Sequence, residues 1–168
     1  MLTERCNPPR MSRQAGIMLL EALIGILIFS LGILGMIGLQ AASISAAADA
    51  QYRSEAASLA NQIISQIWIS VDRSSTAALQ TSLNNFQYNT GGSNCAFSGG
   101  ATDTSNTTLA SWVTSITTTA ATRLPGATSA MQQVLVNTGS NNLVTVTVCW
   151  QGPHDAQPRK QVLTANVS

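Results

Sequence analysis

Charge is what this sequence has least of. Lysine, arginine, aspartate and glutamate together make up 9% of the 168 residues, aromatics 5%, and histidine occurs once. Beyond position 16 the basic residues Arg53, Arg73, Arg123, Arg159 and Lys160 are scattered. A protein that neutralises phosphates needs a basic stripe, so no nucleic-acid partner is expected. The one histidine, His154, sits beside Asp155 in a Gly-Pro loop. It has no Cys/His cluster, Gly-rich phosphate loop or spaced carboxylate pair beside it, and a solvated loop histidine is the expectation. Asp103 and Asp155 are too few for calcium, which takes about six or more oxygen ligands. Catalysis, a metal and a cofactor are therefore not predicted.

What is present is one long apolar run, GIMLLEALIGILIFSLGILGMIGL, from Gly16 to Leu39. At about 1.5 Å per residue a helix of this length crosses the roughly 30 Å hydrocarbon core of a bilayer. Its single charge, Glu21, costs about 2.5 to 3.5 kcal/mol in a membrane, so a plain anchor would carry an apolar residue there. Ahead of the run, Met1 to Ala15 holds Arg5, Arg10 and Arg13 against Glu4, with Pro8 and Pro9. That basic lead is expected to stay cytoplasmic by the positive-inside rule. A secretory signal has a cleavage site after its apolar core, whereas the small-residue junction here, Ala15-Gly16, precedes it.

A basic lead, a Gly at the boundary, a Glu five residues on and an unbroken apolar helix together resemble the class III leader of type IV prepilins and pseudopilins. The resemblance implies that a prepilin peptidase cuts after Gly16 and that Ile17, where the family usually has Phe or Met, becomes the N-methylated first residue. It also implies that Glu21 is the acid at the fifth mature position. Physics gives that acid a use. If Glu21 meets the N-terminal amine of a neighbouring subunit, each buried charge satisfies the other, and subunits out of register leave both unpaired. Gly25, Gly32, Gly35 and Gly38 permit close helix approach without forming GxxxG, and Gly32 to Gly38 reads as a soft segment.

Cutting after Gly16 leaves 152 residues, and removing three Arg and one Glu from eight basic and seven acidic side chains leaves five against six. The mature chain is close to neutral. From Gln40 to Arg73 there is no Pro or Gly, and Tyr52, Ala56, Leu59, Ile63, Ile67 and Val71 recur at three- and four-residue steps. The spacing predicts an amphipathic helix over residues 40–73, continuous with the apolar half at 17–39. Its stripe needs a cover, and residues 74–168 must supply it.

Ser74 to Gly100 is rich in Ser, Thr, Asn, Gly and Gln and reads as loop wrapped over the helix. Leu109, Trp112, Val113, Ile116, Ala120 and Leu124 trace a short helix near 109–123, with Asn106 or Thr107 as its cap and Leu124-Pro125-Gly126 as its stop. Strands are expected near 133–138, 143–150 and 161–167. In the middle one, Val144, Val146, Val148 and Trp150 face the helix, while Thr145, Thr147 and Cys149 face solvent or the loop carrying Cys95. Cys6 lies in the leader, leaving Cys95 and Cys149 as an even pair for a disulfide in an oxidising compartment.

The fold class is α+β: a long N-terminal helix, hydrophobic then amphipathic, packed on a small antiparallel sheet as in the pilin fold. The helix ending in Leu-Pro-Gly before strands also resembles PilV-type minor pilins. That resemblance implies a single-pass inner-membrane protein, leader cytoplasmic at residues 1–16 and head periplasmic, which then enters a pilus filament. Its implied partners are the prepilin peptidase, other major and minor pilins, the pilus assembly platform, and membrane lipid before assembly. A type II secretion pseudopilin shares the leader and helix. A signal-anchored periplasmic adhesion or binding protein would keep Met1, and a periplasmic enzyme would need His154 or Asp155.

Overall fold

A computed structural model describes residues 15–119, 122–153 and 155–168, with side chains from Ile17 onward. Expectations placed on the leader at 1–14, including Cys6, and on Ala120 and His154 lie outside the described residues. Helix α1 runs unbroken from Ala15 to Ser70, a 56-residue element. The described residues fall into two units, one ending at Ala46 and one from Ala47 to Ser168. In the first unit every side chain from Ile17 to Ala46 is exposed.

In the second unit α1 is amphipathic as its spacing dictates. Ala56, Leu59, Ala60, Ile63, Ile64, Ile67 and Val71 are buried, and Tyr52 packs at the margin. The helix ends at Ser70, three residues short of the expected boundary, because Arg73 folds back to cap it. Its guanidinium donates to the carbonyls of Trp68 (2.7 Å) and Val71 (3.3 Å) and lies 5.6 Å from the Trp68 ring. A cation over the last turn satisfies orphan carbonyls and the helix dipole together.

The segment expected to be all loop contains helix α2, Thr76–Asn84. Ser75 caps it, its hydroxyl accepting from the Ala78 N–H at 3.1 Å. Leu79, Leu83 and Phe86 then join the core beside Ile63 and Ile67. The polar composition conceals an i, i+4 apolar step behind a Ser N-cap. The same segment also forms a short hairpin, β1 (Gly91–Ser93) paired with β2 (Ala96–Ser98). Asn94 and Cys95 form its two-residue turn with φ of 53° and 64°, the left-handed pair that a type I′ turn requires.

Helix α3 is Thr107–Thr117, shorter than the 109–123 expected from its stripe. Asn106 caps it by accepting from the Leu109 N–H at 3.0 Å. The stop is the threonine tract and not Leu-Pro-Gly. Thr118 and Thr119 both donate their N–H to the Thr114 carbonyl, and Leu124 N–H returns to Ile116. Leu124, buried, therefore packs from a return segment and not from a last helical turn. Gly126, with φ of 62°, then makes the turn into the sheet; a Cβ there would lie 2.6 Å from the Gln151 carbonyl oxygen, so only glycine fits.

After a 3₁₀ turn at Ser129–Met131 come β3 (Gln132–Asn137), β4 (Leu143–Trp150) and β5 (Arg159–Asn166). They form one antiparallel sheet in the order β3-β4-β5. β3 starts and ends one residue before the expected strand, and β5 starts two residues early and ends one early. Val144, Val146, Val148 and Trp150 are buried in the same core as α1 and α3. Trp112 seals that layer, its indole N–H donating to the Leu59 carbonyl at 2.8 Å. The second unit is thus an α+β fold, a long helix on a small antiparallel sheet.

Candidate functional site

The first candidate is the exposed apolar segment of α1. An 18-residue stretch of this helix reaches a mean hydropathy of 2.6, long and apolar enough to cross a membrane. Ile17 and Met18 are 72% and 76% exposed, and Glu21 is exposed among them. Ile17 and Glu21 are one turn apart and share a face. Gly16 lies within the helix by its backbone. At Gly25, Gly32, Gly35 and Gly38 a Cβ would meet open space, so no neighbour among the described residues accounts for the glycines. All four are helical here. The hydroxyl of Ser30 donates to the Ile26 carbonyl at 2.7 Å, which satisfies its hydrogen within the helix.

The second candidate is the cysteine-bearing end of the sheet. Cys95 and Cys149 form a disulfide with Cα atoms 5.8 Å apart, pinning the hairpin turn to β4. Cys149 and Thr147 are buried, so the Thr face expected to meet either solvent or the Cys95 loop is covered at this end. Beside them Arg159 joins three segments. Its guanidinium donates to Asp155 at 2.9 and 2.6 Å and pairs with Asp49 of α1 at 3.0 Å. The hydrogen-bonded Asp155 carboxylate raises the Arg159 pKa, with Asp49 adding to it, so the guanidinium stays charged.

Around the hairpin a buried amide network replaces the hydrophobic core. Asn89 accepts from the Gly100 N–H at 2.9 Å and donates to the carbonyls of Ser129 and Gln132 at 2.8 and 2.9 Å. Gln133 donates to the Asn89 carbonyl at 2.8 Å. No motif in the sequence marks these amides, nor Arg159 or Arg73 as bridging residues; the turn-prone Asn89-Thr90-Gly91-Gly92, in which Asn89 and Gly92 are left-handed, was the available signal.

Shallow grooves open on the head among the described residues. One, of about 300 Å³, is lined by Gln62, Gln66, Thr107, Thr108, Ser111 and Trp112 together with Ile63. Another, of about 260 Å³, lies by Tyr88, Asp103, Asn106 and Val113. Asp103 is bound locally, accepting from the Ser105 hydroxyl and N–H at 2.6 and 2.9 Å, which holds its pKa below the usual carboxylate range. Among the described residues no three His, Cys, Asp or Glu side chains gather as metal ligands do. No family model, curated protein or solved structure matches this chain.

Proposed function

We propose that this chain is a minor subunit of a type IV pilus, PilV-like. It is inserted in the inner membrane through residues 17–39 with its leader in the cytoplasm and its head in the periplasm. A prepilin peptidase cuts after Gly16, Ile17 is N-methylated, and the subunit leaves the lipid to join or prime a filament with other pilins on the assembly platform. The observation that carries the reading is a single helix whose residues from Ile17 to Leu39 are exposed and, but for Glu21 and Ser30, apolar or glycine, and whose later turns carry side chains buried in the core shared with the antiparallel sheet. In lipid the apolar surface is satisfied by acyl chains, and in a filament it is satisfied by other helices, so extraction exchanges one apolar surrounding for another. Glu21 then finds its partner in the amine of an adjacent subunit, and the pair selects the stagger.

The test is the intact mass and N-terminal residue of the protein purified from membranes of its native host. An N-methylated Ile17 start is the expected result. A chain still beginning at Met1, in a host with active prepilin peptidase, rejects the proposal.

A further inference from the structure

The three-stranded sheet has two edges, and they differ. The outer side of β3 is covered: Tyr88 exchanges backbone hydrogen bonds with Val134 at 2.9 and 3.0 Å, and the Gln133 amide reaches the Asn89 carbonyl. On its outer side β5 pairs with no strand among the described residues. Its eight residues run in unbroken register against β4, with neither a bulge nor a proline.

The register tells which groups look outward. Val167 N–H donates to the Asn142 carbonyl at 3.2 Å, one step beyond the Leu143–Asn166 pair. The odd-numbered residues of β5 are therefore the hydrogen-bonded partners of β4, and Lys160, Val162, Thr164 and Asn166 turn their N–H and C=O away from it. Their side chains are exposed as well, Val162 at 43%. Natural edges are blunted by charge, proline or a bulge. Here charge sits only at the first two residues, and that of Arg159 is already shared between Asp49 and Asp155.

We infer that β5 is a self-association edge, and that its occupant is the β5 strand of a second copy, antiparallel and centred on Leu163. This register pairs Val162 with Thr164 and Lys160 with Asn166, twice each by symmetry. All four outward residues of each strand are satisfied, giving about eight new backbone hydrogen bonds. A centre on Val162 would instead put Asn166 opposite Pro158, which has no N–H to give. A parallel two-fold pair would bring the same even-numbered residues of both strands together in register, N–H against N–H and C=O against C=O, and so forms no ladder. The inference is independent of the pilin reading, since it requires only the sheet.

The test is sedimentation of the oxidised full-length chain in detergent over a range of protein concentrations. The parent should pass from monomer to dimer. Thr164→Pro removes an outward N–H and no bond to β4, so it should fold and remain monomeric. Asn166→Lys sets like charges opposite each other and should weaken the dimer about tenfold, and Lys160→Glu added to it should restore association. A parent that stays monomeric, as it would if the edge served a different protein, overturns the inference. So does a dimer unaffected by Thr164→Pro and Asn166→Lys, which would place association in the apolar helix. Should Thr164→Pro fail to fold, the Asn166→Lys and charge-swap pair decide alone.

Discussion

Gln132 holds Cys149 by both of its backbone groups. The side-chain amide donates to the Cys149 carbonyl at 3.0 Å, and its oxygen accepts from the Cys149 N–H at 3.3 Å. The backbone of Gln132 is already opposite Val148, so the side chain acts as one further residue of β3. Gln132→Leu should leave both buried backbone groups without partners and lower stability by about 2 to 6 kcal/mol, at about 1 to 3 kcal/mol for each orphaned group. Thermal unfolding of the oxidised protein measures it, and an unchanged melting temperature would show that the side chain is dispensable to the ladder.

The Cys95–Cys149 bond closes a separation of 54 residues. Chain entropy puts its contribution at about 4 kcal/mol, so reduction should lower the melting temperature of the head. Cys95 also holds a left-handed conformation that suits glycine. With the bond removed by Cys149→Ala, Cys95→Gly should be more stable than Cys95→Ala by about 1 kcal/mol, as judged by denaturant midpoints. Equal midpoints would mean that the turn relaxes once the bond is gone.

Glu21→Val tests the assembly reading apart from processing. Cleavage after Gly16 should proceed largely as in the parent, while recovery in sheared pili should fall. Normal recovery would remove the register role of Glu21.

Acid should loosen two surface turns. Asp72 accepts from the Ser74 N–H, and Asp103 from the Ser105 hydroxyl and N–H; both carboxylates are thereby held below their usual range. A folded pKa below the unfolded one stabilises above the unfolded value, and that stabilisation is lost as pH falls through the lowered one. Carboxyl NMR titrations of both residues should give midpoints below those of unstructured peptides. Midpoints at the ordinary value would mean that the two turns do not form in solution.

The long helix and the strands were legible because their signals are periodic: apolar steps of three and four from Ala56 to Val71, and alternation from Leu143 to Trp150. The disulfide was legible because the leader reading leaves two cysteines. Helix α2 was not, since only Leu79, Leu83 and a Ser cap announce it within a polar stretch. The end of α3 was misplaced because Leu124 continues the stripe in sequence while reaching the core from a return loop. The edge of β5 and the bridging of Arg159 depend on which strands neighbour which, and no local pattern encodes that.

A strand with one neighbour should fray, yet β5 is fastened at both ends. Arg159 is tied to Asp49 and Asp155 at its start. Past its finish Val167 is buried and bonded to Asn142, and Arg73 donates to the Ser168 carbonyl at 2.9 Å. The two sides of one strand should therefore keep different clocks in deuterated water. Amides of Gln161, Leu163 and Ala165 would exchange only when the ladder opens, and those of Val162 and Thr164, open to solvent in the monomer, within the dead time. Slowing of the second set with rising protein concentration would report occupation of the edge, amide by amide.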